Sequence, residues 1–146
     1  MSCAQLGPAL RDFMDTATTM GTECIVEVHT PAECEIALEH GAGVIMVNNW
    51  DRITGKLYPK QAKSLRYMIP DQVLTIAAGG IMTKAQAAEL SDEGYDAVVL
   101  GRSLVAGGGA VGGDSGPELI RSISERVGVP RSMLGWGIRP EHMEID

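Results

Sequence analysis

The chain has 146 residues, enough for one domain. With 45% hydrophobic and 21% charged residues it is an ordinary globular protein, and with 4% aromatics its core falls to Ile, Val, Leu, Met and Ala. A net charge of −7 argues against nucleic acid or an anionic membrane as partner, and no apolar run reaches the ~20 residues that span a bilayer.

Residues 1–20 carry Arg11, Asp12 and Asp15 and hold no unbroken apolar stretch, so they do not read as a secretory signal. Leu6, Leu10, Phe13, Met14, Ala17 and Met20 recur at helical steps on one face, and Gly21 ends that first helix. Residues 23–29 are short and β-branched, which predicts a strand. Thr30-Pro31-Ala32-Glu33 is then a capping box with proline at the first helical position, opening a helix to about His40. Residues 43–48 are almost continuously apolar, as in a strand covered on both faces. A loop through Tyr58 leads to a helix from about Pro59 to Met68. Residues 73–77 form a third strand ending in Gly79-Gly80, and Thr83 with Gln86 caps a helix that stops near Gly94. Residues 97–100 form the fourth strand, closed by Gly101.

The strands begin near 23, 43, 73 and 97, each interval holding one helix. Strands joined by single helices make right-handed βαβ units and a parallel sheet. The fold class is therefore α/β, with residues 1–105 forming four βα units behind a leading helix: a small open sheet or half of an eight-stranded barrel. Residues 106–116 hold six glycines in eleven and read as a loop. Leu119, Ile120, Ile123 and Val127 mark one last helix, and residues 130–146 an aperiodic tail.

Cys3, Cys24 and Cys34 are odd in number and lack CxxC spacing, so reduced thiols are expected, with Cys24 in a strand and Cys34 on a helix. His29, His40 and His142 share no ligand spacing with them, and neither a metal nor a cofactor is expected. Thiols without a secretory signal suggest the cell interior, whether cytoplasm or an organelle matrix such as a plastid.

In parallel α/β folds ligands meet the carboxyl ends of the strands. The residues there are Glu27 and His29, Asn48 and Asn49, Ala78-Gly79-Gly80, and Gly101-Arg102-Ser103. Glu27 sits between Val26 and Val28. Pointing into a cleft, it would be raised in pKa by desolvation and suited to proton transfer; at a strand end it would face solvent or pair with a cation. Asn48 either orients a polar ligand or makes an asparagine turn. Gly79-Gly80 and Gly101-Arg102-Ser103 each follow a strand and precede a helix, the construction of a phosphate site on the last two loops of a barrel.

The segments Ile25-Val26-Glu27-Val28-His29, Val47-Asn48-Asn49-Trp50-Asp51, Ile76-Ala77-Ala78-Gly79-Gly80-Ile81 and Gly94 to Leu104 resemble strands five to eight of the indole-3-glycerol phosphate synthase family. That family is a TIM-type (β/α)₈ barrel of tryptophan biosynthesis that decarboxylates and cyclises a carboxyphenylamino deoxyribulose phosphate. The resemblance implies a (βα)₄ half-barrel, a catalytic role for Glu27, a substrate-holding role for Asn48, and a phosphorylated sugar at Gly79, Gly80, Gly101, Arg102 and Ser103. Three positions depart from the family pattern. Its strand-seven acid is Ala78, the neighbouring hydroxyl is Gly79, and the arginine after the two asparagines is Trp50.

The family's catalytic lysines lie on strands one and three. Lys56, Lys60, Lys63 and Lys84 all fall in predicted loops or helices. The expectation is a synthase-like chain that is inactive alone and binds phosphate. The alternative is a non-catalytic subunit descended from the family. Either way four strands cannot close a barrel, so a protein partner or self-association is expected to complete it, unless the tail from Gly107 onward covers the exposed face.

Overall fold

A computed structural model describes residues 1–101, and in them strands and helices alternate. The chain begins with α1 (Cys3–Leu6), a 3₁₀ turn (Gly7–Ala9) and α2 (Leu10–Thr19). There follow β1 (Ile25–Val28), α3 (Pro31–Glu39), β2 (Val44–Asn48), α4 (Gln61–Arg66), β3 (Leu74–Ala78), α5 (Lys84–Asp92) and β4 (Ala97–Val99). Arg102, Ser103 and the segments expected over 106–116, 119–127 and 130–146 lie outside the described residues.

The leading helix is the main local difference from the sequence reading. It starts earlier and breaks at Gly7-Pro8: Gly7 takes φ +47°, and Pro8 has no N–H to continue the ladder. Leu10 and Ala17 are buried on it, but Phe13 is 50% and Met20 76% exposed. The apolar face is therefore narrower than the spacing suggested. Cys34 is buried on α3, while Cys24 lies just before β1 rather than within it.

The caps form as the motifs dictate, with one shift. Thr83 and Gln86 make a reciprocal capping box at α5. At α3 the Thr30 hydroxyl accepts from the Glu33 N–H at 3.2 Å, but Glu33 reaches back one residue further, to the His29 N–H at 2.8 Å. Pro31 at the first helical turn presets the backbone for this start.

All four strands are parallel and lie in the order β1-β2-β3-β4. This is the succession of neighbouring barrel strands, in which each helix crosses back beside the strand it left. Val26, Val28, Ile45, Val47, Thr75 and Ala77 point to the helices and are buried. Their alternates Val44, Met46, Leu74 and Ile76 are only half-buried, and Ile25, Ala97 and Val99 are exposed, Val99 to 47%. So one face of the sheet carries the core, whereas the run at 43–48 had suggested cover on both. On the outer edge of β1 the chain start runs alongside: the Met1 amine donates to the Ile25 carbonyl at 2.7 Å, and Ser2 bridges Glu27.

Candidate functional site

Glu27 emerges near the carboxyl end of β1, on the face away from the helices, yet is only 8% exposed. Burying a carboxylate requires partners. Asn48, ending β2, donates from Nδ2 to Glu27 Oε1 at 2.7 Å, and Arg52 donates from Nε to the same oxygen at 2.6 Å. Burial pushes the Glu27 carboxyl up in pKa, but the Arg52 and Asn48 hydrogen bonds and the Arg52 charge outweigh it and hold the carboxyl below the usual range. Of the two sequence readings, the pairing with a cation is the one that forms, in place of a cleft in which desolvation alone would have raised the carboxyl. Glu27 is an anion at neutral pH.

Arg52 reaches it from the segment between β2 and α4. Trp50 and Leu57 bridge antiparallel, and Asp51 ties the turn by accepting from the N–H groups of Ile53 (2.8 Å) and Thr54 (3.2 Å) and from the Thr54 hydroxyl (2.6 Å). The small hairpin folds over the strand ends, carrying Arg52 to Glu27 and Leu57 to Gly80. Arg52 lies 25 residues from Glu27 in sequence, and nothing in the residue pattern signalled the pair.

Asn48 and Asn49 divide the work. Asn48 belongs to the site: its Oδ1 accepts the Trp50 N–H at 2.9 Å while its Nδ2 holds Glu27. Asn49 is buried and structural. Its Nδ2 donates to the Gly79 carbonyl and its Oδ1 accepts the Ala62 N–H, both at 2.9 Å, so it ties β3 to the first turn of α4. The Tyr95 hydroxyl takes the Ala62 carbonyl at 2.6 Å from the other side. His29 Nδ1 lies 2.7 Å from the Asn48 carbonyl, and Gln61 donates to the His29 carbonyl at 2.6 Å.

Gly79 and Gly80 adopt φ +87° and +70°, which side chains rarely do. A Cβ on Gly79 would stand 2.5 Å from Asn48 Oδ1 and 3.0 Å from Trp50 Cδ1; on Gly80 it would meet Leu57 at 2.8 Å. The Trp50 ring thus sits against Gly79. Ala78 is buried in register with Asn48, and among the described residues of the strands Glu27 is the carboxylate.

The helix start after Gly80 is built around a local cap. Gln86 Oε1 accepts from the Met82 and Thr83 N–H groups at 2.8 and 3.1 Å, and Thr83 Oγ1 takes the Gln86 N–H at 3.2 Å. These bonds occupy the Met82, Thr83 and Gln86 N–H groups within the cap. Gly101 is exposed at the end of the described residues, and Arg102 and Ser103 lie beyond them. A cleft of about 330 Å³ between α4 and α5 borders the site at Asn49 and Gly80, where Lys63 bridges Glu89 at 3.0 Å and Glu93 at 2.6 Å. The four lysines lie in the loop, at the start of α4, on α4 and on α5, none on a strand.

A family model, indole-3-glycerol phosphate synthase, matches residues 5–109. The chain belongs to the indole-3-glycerol phosphate synthase family. Relatives of that name from Dehalococcoides mccartyi are 38% identical over 104 residues, and one from Chloroherpeton thalassium is 37% identical over 103. Each alignment covers 70% of this chain and 40% of the relative. The chain thus spans about two fifths of the length of these synthases. The fold is also similar to solved structures of low identity. The Amycolatopsis orientalis BexX/CysO complex gives a TM-score of 0.60 at 18% identity, covering 94% of this chain and 53% of that one. A mandelate oxidase bound to benzoyl-formic acid gives 0.55 at 21%, covering 86% and 38%.

Proposed function

We propose that this chain is the second half of an indole-3-glycerol phosphate synthase-type barrel, binding a phosphorylated sugar at its strand ends but lacking catalysis by itself. The observation that carries the reading is the Glu27–Asn48 pair at the carboxyl ends of parallel strands, in a chain of this family. Glu27 offers an anionic acceptor, Asn48 an oriented amide, and Gly79-Gly80 a glycine turn toward which a phosphate could bind. No lysine stands on a described strand, so a general acid or a charge partner inside the barrel would come from a complementary βα half. The half-exposed face of β1–β4 is the surface that half would cover.

Titration of the full chain with a ribulose-phosphate analogue, read by amide NMR, is expected to shift Gly79, Gly80 and Gly101. Unmoved amides would sink the ligand-binding half of the reading. A second reading, a non-catalytic interaction subunit, is favoured by Ala78 and by the Trp50 ring packed on Gly79. Native mass spectrometry that finds a partner, together with no indole-glycerol-phosphate formation by the complex, would decide for it.

A further inference from the structure

We propose that Arg52 is the positioning residue of the strand-end site, fixing the Glu27 carboxylate and, through it, the amide of Asn48. The proposal deepens the ligand-binding reading above and rests on it. Arg52 and Asn48 both bind Oε1 of Glu27, at 2.6 and 2.7 Å. The same Asn48 amide receives the Trp50 N–H on its oxygen at 2.9 Å, so it donates on one side, accepts on the other, and cannot flip without losing both. Oε2 of Glu27 takes no hydrogen bond from any described residue, although the residue is buried. A ligand hydroxyl or N–H is the group that oxygen suits.

Arg52 is well placed for this role. Its side chain is 59% exposed on a turn that Asp51 ties locally, so its own packing contributes little, whereas its partner's is 11% exposed. Removing the guanidinium would leave a buried carboxylate that favours the protonated form. A protonated Glu27 could then present a donor where the site needs an acceptor, and Asn48 would lose its anionic anchor. The other charge acting on Glu27 is the Met1 amine beyond the outer edge of β1. The residues paired with Glu27 on either side, Met46 and Ser2, carry none. His29, two residues on along β1, is held by the Asn48 carbonyl.

The test is a carbon-detected NMR titration of the Glu27 carboxyl in the full chain. Arg52→Ala is expected to raise its midpoint by about one pH unit or more. It should also move the Asn48 side-chain amide pair, with Arg52→Lys recovering part of both shifts. A Glu27 midpoint left in place by Arg52→Ala overturns the proposal. Should that variant fail to fold, Glu27→Gln asks the question from the other side: the Arg52 Nε–H resonance is expected to move, and an unmoved one is equally fatal. Inorganic phosphate, followed at the Gly80 amide, reports on the ligand reading separately. A raised midpoint with no phosphate shift would leave the Arg52 linkage standing and remove the site it was to serve.

Discussion

Glu27 shows how a single residue's chemistry is set by its neighbours. Its folded carboxyl lies below the ordinary value, so the stabilisation it provides is present above the unfolded carboxylate range and fades as pH falls through the folded value. Glu27→Gln is expected to cost about 1.5–3 kcal/mol at pH 7, as for a hydrogen bond to a charged group. Urea midpoints taken from pH 7 to pH 3 should show that gap closing on acidification; a constant gap would contradict the ion-pair account. Gly79 supplies a steric counterpart. Gly79→Ala must accept φ +87° and a Cβ 2.5 Å from Asn48 Oδ1, whereas Gly55→Ala faces φ +68° with open space around it. Both should lose about 1 kcal/mol or more to backbone strain, and Gly79→Ala distinctly more, with the Asn48 amide displaced. Equal losses would mean that the turn yields freely.

The elements are held at their ends more than along their lengths. At six residues α4 is too short to be stable by propensity, and it is fixed from β2 by Asn49 and from the approach to β4 by Tyr95. Asn49→Ala would strand the Ala62 N–H and the Gly79 carbonyl, an expected loss of about 2–4 kcal/mol. Asn49→Asp, which keeps the acceptor for Ala62, should lose visibly less in the same denaturation experiment. The α5 cap is simpler, being local. Thr83→Ala is expected to cost about 1 kcal/mol without touching the site, measurable as a shift in the urea midpoint. A loss of several kcal/mol would show that the turn after Gly80 depends on the cap as well.

At the scale of the molecule, the sheet presents a row of aliphatic side chains that no described helix covers, from Ile25 at one edge to Val99 at the other. With Met1 and Ser2 paired along the outer edge of β1, the edge at β4 is the one that a second βα half could extend in the same sense. The full chain alone is therefore expected to associate, with sedimentation showing a concentration-dependent mass and Val99→Lys weakening it while far-UV circular dichroism is kept. A compact monomer at all concentrations would show the face to be covered within the chain and would remove the need for a partner.

Much of this was legible in the residues. The β-branched runs near 25, 45, 75 and 98 and the caps at Thr30 and Thr83 dictated four βα units, because strand propensity and capping are local properties. Four ordered motifs pointed to the family and to Glu27 and Asn48. What only the tertiary structure decided was charge and role. Arg52 meets Glu27 across 25 residues because a hairpin folds over the strand ends, reversing the direction of the carboxyl's shift. Asn49, adjacent to Asn48 in sequence, points the other way into the core, since successive side chains leaving a strand face opposite sides. Sequence spacing gives the side of the sheet, but which partner waits there depends on segments brought together by folding.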